Sequence, residues 1–413
     1  MTIPQDSTVL FQPGGSAPAS AAPVSEAPSP WIRRLVWLSL LLAFPLLLLG
    51  TMVTTFRVGM VDPLWPTEPW YLMFDRSRPD AVPIWKEERP GYLIEHFHRV
   101  FGYLIGLTIL AQTVVIGFKS KSFGIWLSAV VGVTAGTVLT MSSIDRAAAQ
   151  MDPLTAVQPG ILRAGLGVLL AGVGAFLIAI FLEYREKGAR RHLMALGFLV
   201  FLGVISQGLL GGMRVYLNAL GGTQLASIHG ALGQIVVSGL VGLLAICALQ
   251  VRPIPAMIVP KERRGILIWS LGLLFLCLVQ LGWAVWLRHF SHPVAQRMHL
   301  FFACLIPAFV VGVHLKALAN REVFKWFGPS SGMLLLLVFL QVLIGIEAYI
   351  GKFATNKPLV EAAVNVGQAA VRTTHAMIGA LILAAAAVIA LRALWIPKTV
   401  PAMQGVPTGG AVS

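Results

Sequence analysis

The chain has 413 residues, 57% of them hydrophobic and only 12% charged, with a net charge of +14 and a mean hydropathy of +0.79. A soluble domain is about 25% charged, so the composition excludes an ordinary globular fold. It also removes nucleic-acid binding as the meaning of the positive charge, because Lys and Arg in a membrane protein collect in cytoplasmic loops and set orientation.

Residues 1–30 are rich in Ala, Pro and Ser and read as a disordered cytoplasmic head. They lack the n-region, h-region and cleavage site of a removable signal peptide. Ten apolar runs follow, at about 34–54, 93–116, 123–142, 161–182, 192–213, 225–249, 265–287, 298–318, 331–351 and 373–394. Each is long enough to cross a bilayer as a helix, and none shows the alternation of a membrane barrel strand. A second disordered stretch is expected over 396–413. The three cysteines, Cys247, Cys277 and Cys304, all lie inside apolar runs, so they suggest neither a disulfide framework nor a metal cluster.

Several connections after even-numbered spans are basic: Lys119 and Lys121; Arg185, Lys187, Arg190 and Arg191; Arg252, Lys261, Arg263 and Arg264; Lys316, Arg321 and Lys325. This predicts an N-in, C-in topology in an inner (plasma) membrane. The longest outer connection, 55–92, carries Asp62-Pro-Leu-Trp-Pro-Thr-Glu-Pro-Trp-Tyr. It reads either as an interfacial aromatic belt or as a lid over the first-half site.

The chain repeats itself. Trp37 to Gly50 in the first span matches Trp269 to Gly282 in the seventh, and Gln207-Gly-Leu-Leu-Gly resembles Gln341-Val-Leu-Ile-Gly. The expected fold is therefore all-α and membrane-integral, with two pseudo-repeated four-helix bundles. Spans 1, 2, 5 and 6 (residues 31–250) form one. Spans 7–10 (residues 265–395) form the other. Spans 3 and 4 (about 123–182) are a hairpin inserted in the first half. Duplicated units often place sites at equivalent positions.

Four histidines occupy such positions: His98, His229, His299 and His375. All lie on spans running from outside to inside, within about two turns of the outer end, roughly 5–10 Å deep by helical rise. An ionisable ring inside a membrane helix is by default a functional-site hypothesis. Imidazole is also the usual protein ligand of haem iron, and facing helices can supply both axial positions. The four predict two haem pockets. His96, His192, His289, His292 and His314 are assigned to solvated or structural roles, with His96 at the interface and His289 and His292 in an outer loop. Glu95 stands three residues before His98, on the same helical face. A carboxylate there must orient an imidazole, handle protons or pair with a neighbour such as Arg99. Residues 295–298 of the second half are Ala-Gln-Arg-Met, with no carboxylate. One pocket is therefore expected to react and the other only to hold a cofactor. Arg214, Arg288, Arg297 and Arg372 lie at the same outer level and suit haem propionates. Gly102, Gly106, Gly208, Gly211 and Gly212 would permit close approach of a helix or a porphyrin.

These residues resemble the haem A synthase family. The resemblance is carried by Glu95-His-Phe-His98-Arg99 followed by Gly102-Tyr-Leu-Ile-Gly106, by Gln207-Gly-Leu-Leu-Gly-Gly212, by Ile228-His229-Gly-Ala-Leu-Gly-Gln234, by His299 and by Thr374-His375, and runs over most of residues 31–395. It implies oxidation of the C8 methyl of haem O to a formyl group, through a hydroxylated intermediate, to supply haem A to terminal oxidases. It implies that His98 and His229 contact the substrate haem O, with Glu95 as a catalytic carboxylate. It implies that His299 and His375 ligate a bound haem b; Arg297 and Arg372, two and three residues from them, are the candidate contacts to that cofactor by their position alone. Haem O synthase, oxidase assembly factors and a homo-oligomer are the partners it suggests, besides the lipid bilayer. Three features depart from the family pattern: the inserted hairpin, the missing outer-loop cysteine pair, and His299-Leu300 where a His-Arg pair is common. The rival reading is a quinone-linked cytochrome b carrying two haems, which leaves Glu95 without a task. A transporter fits less well, since paired Gly/Pro-broken helices are missing and the histidines share one depth.

Overall fold

The computed structural model describes residues 28–59, 90–144, 157–188, 190–216, 218–251, 259–353 and 364–396. Residues 1–27 of the expected disordered head, 397–413 of the expected tail, 60–89 of the 55–92 connection read as a belt or a lid, and the basic Arg252 lie outside the described residues. The described residues form ten helices and no strand. They are α1 (Pro30–Phe56), α2 (Pro90–Gly117), α3 (Phe123–Ser142), α4 (Pro159–Arg185), α5 (Arg191–Tyr216), α6 (Asn218–Leu249), α7 (Pro260–Phe290), α8 (Pro293–Leu318), α9 (Arg321–Phe353) and α10 (Val366–Trp395). All ten are long and apolar enough to cross a membrane. Even α3, with 20 residues, spans about 30 Å at about 1.5 Å per residue. Large apolar side chains such as Leu41, Leu170, Phe275 and Phe339 point outward, as they do when lipid rather than water surrounds the helices. The protein is an all-α, multi-pass membrane protein.

Helix starts follow local chemistry. Proline sits at the first or second position of α1, α4, α7 and α8, where its missing N–H costs nothing and its fixed φ suits the helix. Pro45, Pro307 and Pro329 lie inside α1, α8 and α9, positions that a bundle within lipid tolerates because neighbouring groups satisfy the freed carbonyls.

The helices close into two rings. In the first, α1 packs on α2, α2 on α5, α5 on α6 and α6 back on α1. The second runs α7, α8, α9, α10 and back to α7. The rings meet through α6 on α10, α6 on α7 and α1 on α10. If α1, α2, α5 and α6 are matched in order with α7, α8, α9 and α10, the first of these contacts maps onto itself and the other two exchange. This is the pattern of a pseudo-twofold axis between the halves. Each ring has its own apolar core, around Ile109, Leu240 and Phe201 in one and Val310, Leu334 and Ile389 in the other.

The α3–α4 hairpin stands outside the first ring and packs on α2 and α5. Its two helices touch backbone to backbone: a Cβ added at Gly136 would lie 2.4 Å from Leu169 N, and one at Gly172 would lie 2.6 Å from Val133 N. Small residues permit this close approach in a membrane. The buried Trp126 joins the hairpin to the ring, donating from Nε1 to Thr113 O at 2.8 Å and meeting Phe176 edge-on at 4.7 Å.

Candidate functional site

The four histidines form two pairs at one face of the molecule, the face where α1, α3, α5, α7 and α9 end. His98 on α2 faces His229 on α6 with ring centres 6.3 Å apart and planes at 83°. His299 on α8 faces His375 on α10 at 6.2 Å and 70°. Metal–imidazole bonds are about 2.0 Å long, so two rings sharing one metal atom, each with its centre about 1.1 Å from the ligating nitrogen, stand about 6 Å apart. Both pairs have that spacing. Among the described residues no three His, Cys, Asp or Glu side chains gather as a cage for a bare ion.

Each ring is placed by its neighbours. Two glycines make room. A Cβ at Gly50 would lie 2.8 Å from His98 Cε1, and one at Gly345 would lie 2.9 Å from His375 Cε1. Sequence reasoning used both glycines only as marks of the repeat. Repeat position alone would not have singled them out, since a Cβ at Gly282, the counterpart of Gly50, meets nothing within 4 Å. Glutamines fix the histidine backbones: Gln207 Nε2 donates to His229 O and Gln280 Nε2 donates to His299 O, each at 3.0 Å. His98 Nδ1 lies 3.0 Å from Leu46 O. A carbonyl can only accept, so Nδ1 carries the proton and Nε2 is the nitrogen with a lone pair to offer. In His229 and His299, Nδ1 is buried without a hydrogen-bond partner. In His375, Nε2 lies 3.4 Å from Gln341 Nε2, while Nδ1 is the buried nitrogen without a partner. Buried imidazole nitrogens without partners suit coordination, since such groups otherwise cost free energy. Open space lies beside Gly102, Gly106 and Gly208, where an added Cβ meets nothing within 4 Å.

The pairs differ in charge. Glu95 is buried at 6% exposure, and Glu95 Oε1 accepts from Arg99 Nη2 at 2.8 Å. The equivalent position of α8 is Gln296, which donates to the Tyr349 hydroxyl at 3.1 Å, and Arg99 is matched by Leu300. The pairing of Glu95 with Arg99, one of the alternatives its position allowed, is therefore present. It holds the carboxylate in place three residues from His98. Among the described residues Glu95 is the buried carboxylate of this face; the other, Glu183, sits at the opposite end of α4 and accepts from Ser120 at 2.7 Å.

A cavity of about 1410 Å³ opens beside the second pair and runs between the halves. Its floor is apolar, with Ile306, Val338 and Leu383, and His299 and His375 stand in its wall. Arg372 lines it, but Arg297 does not; Arg297 is exposed on the outside of α8. Arg57, Arg214, Arg288 and Lys352 line it too. Arg57 and Lys352 escaped sequence reasoning because each reads as an ordinary interfacial cation at a helix end. The remaining histidines also sit differently from expectation. His96 is buried at 2% exposure rather than interfacial. His289 belongs to the last turn of α7 and lines the cavity. His292 caps α8, accepting from Val294 N at 3.2 Å. His192 and His314 bond Tyr184 and Ser331 near the other face. Cys277 and Cys304 line the cavity as free thiols.

No protein-family model matches this sequence, and no curated protein is significantly similar to it.

Proposed function

We propose that this protein is a haem A synthase, which oxidises the C8 methyl group of haem O to a formyl group. The observation that carries the reading is the pair of histidine sites with the same ring spacing, only one of which, among the described residues, has a buried carboxylate beside it. Equal spacing argues for the same kind of occupant in both. Unequal charge argues for chemistry in one alone.

In this reading His98 and His229 would hold the substrate haem O, and His299 and His375 would hold a resident haem b. The haem b supplies a one-electron carrier when bound. The residues of the chain do the rest. Gly50 and Gly345 set the rings, Gln207 and Gln280 anchor the helix backbones carrying His229 and His299, and Glu95 is the carboxylate placed to hold or take up a proton at the first pair. Arg99 holds the Glu95 carboxylate in place for that task. The membrane is an inner (plasma) membrane with the histidine face outward, and haem O synthase and oxidase assembly factors are the expected partners. The near-equality of the two pairs also favours a second reading, a membrane cytochrome b with two permanently bound haems.

The test is haem extraction and chromatography from membranes of a host that lacks haem A, expressing this chain together with a haem O synthase. The synthase reading requires haem A or its hydroxylated precursor, and its loss on Glu95→Ala or His98→Ala. Unchanged haem O, with purified protein carrying two stable haems b, would sink it in favour of the cytochrome.

A further inference from the structure

The cavity rim is charged in a way that one membrane-exposed face does not explain. Five cations line it: Arg57 and Arg214 from the first half, and Arg288, Lys352 and Arg372 from the second. Among the described residues no Asp or Glu lines it. Arg288 Nη2 donates to Thr51 O at 2.7 Å and to Thr55 Oγ1 at 2.9 Å, reaching across from α7 to α1. Lys352 Nζ donates to Leu287 O at 3.3 Å, and Arg372 Nη2 to Gly351 O at 3.4 Å. Arg214 Nε is buried without a hydrogen-bond partner. Arg288, Lys352 and Arg372 thus use neutral oxygens, which orient a cation but leave its charge uncompensated. Like charges gathered in a medium of low dielectric repel one another, and cations at membrane depth are tolerated when an anion or water meets them. The floor of the same cavity is apolar. At about 1410 Å³ the space exceeds the roughly 300–1,000 Å³ of an ordinary ligand pocket.

We infer that this rim is one composite anion site, built by both halves, for the carboxylates of an amphiphile whose apolar body fills the floor. Given the reading above, on which this rests, that amphiphile is the porphyrin of the second histidine pair, and the rim takes its propionates. Arg57 and Arg214 then act across the pseudo-twofold boundary, and Arg288 ties the rim to α1 through Thr51 and Thr55. The first half holds a ligand whose iron the second half binds, and the second-half pocket is incomplete without α1 and α5. A lipid phosphate carries the same anionic oxygens and is the competing source.

The experiment titrates the full-length protein, purified in detergent and stripped of haem, with haemin and with haemin dimethyl ester, followed by absorbance. Esterification removes the carboxylates and leaves the iron. Wild type is expected to bind the diacid at least about tenfold more tightly than the diester, and Arg288→Gln or Arg214→Gln to cut that preference by about three- to tenfold each. Arg288→Lys should keep most of it, which separates loss of charge from loss of fold. An acid-to-ester ratio that stays the same in Arg214→Gln, Arg372→Gln and Arg288→Gln overturns the assignment. If diester binding is still lost in His299→Ala, the porphyrin reading survives that result. Failure of wild type to bind either porphyrin overturns both. Loss of co-purifying phosphatidylglycerol or cardiolipin from Arg288→Gln, by mass spectrometry and with the ratio unchanged, assigns the rim to lipid instead.

Discussion

Gly345→Ala is the sharpest test of how the histidine pairs are built. A Cβ at this position would lie 2.9 Å from His375 Cε1, where ordinary contact begins at 3.4 Å. The ring must therefore retreat by about half an ångström, which is the whole positional tolerance of a preorganised ligand of about 0.5 Å. Moving a group that orients a metal ligand costs about 10–100-fold in affinity. Helix propensity works the other way, since Ala is better than Gly by about 1 kcal/mol in a helix interior. The two effects are thus separable: melting in detergent should change little, while haem affinity at the second pair should fall at least about tenfold. Two comparisons grade the effect. Gly211→Ala places its Cβ 3.4 Å from His229 Cε1, at the edge of ordinary contact, and should alter haem binding little. Gly174→Ala on the hairpin meets nothing within 4 Å and should be silent. The readout is haem titration of stripped protein. Equal affinity for Gly345→Ala and Gly174→Ala would refute the claim that the glycine sets the ring.

If the proposed function holds, Glu95→Gln should abolish haem A formation in the reconstituted host while the purified variant keeps a haem b spectrum, because the second pair lies on other helices; loss of both would point to a folding role. Trp126→Ala removes a fully buried ring that ties α3 to α2. It should destabilise the protein by about 3–5 kcal/mol by the cost of such cavities, seen as a lower melting temperature, and an unshifted melt would contradict the packing. Gly172→Leu drives a side chain into the Val133 backbone, so limited proteolysis should cut the α3–α4 connection faster. The haem spectrum should persist, since neither hairpin helix bears a histidine of the pairs. Equal cleavage rates in the variant and wild type would argue against the tight hairpin.

The ten spans were legible in the sequence because apolar runs inside lipid are long and unbroken. The run at 123–142 coincides with α3. Ends fared worse where a helix leaves the hydrocarbon. α9 begins at Arg321 rather than about 331, because Arg321, Glu322, Lys325 and Pro329 read as a loop yet continue the helix. α10 begins at Val366 rather than about 373, with Asn365 capping it by accepting from Gln368 N. The histidine pairing was legible because each half carries two histidines at the same depth, near the outer ends of its spans. The cation rim was only partly so: Arg372, Arg214 and Arg288 were noticed for their level, but Arg297, adjacent in sequence to the histidine motif, turns outward. Proximity along a helix does not decide which face a side chain takes, and Arg297 lies two residues from His299, far around the helix from it.

The contact between the halves has a consequence for how such a chain could arise. Because α6 meets α10 on the pseudo-axis while α1–α10 and α6–α7 are exchanged across it, the surface one half offers is the surface the other half receives. A lone four-helix unit with that surface is self-complementary and would associate with a second copy of itself, as isologous dimers do. Joining the two copies in one polypeptide removes the need for them to stay identical. Glu95 on one side and Gln296 on the other are what that freedom permits, since two separate copies of one gene product could not differ at that position.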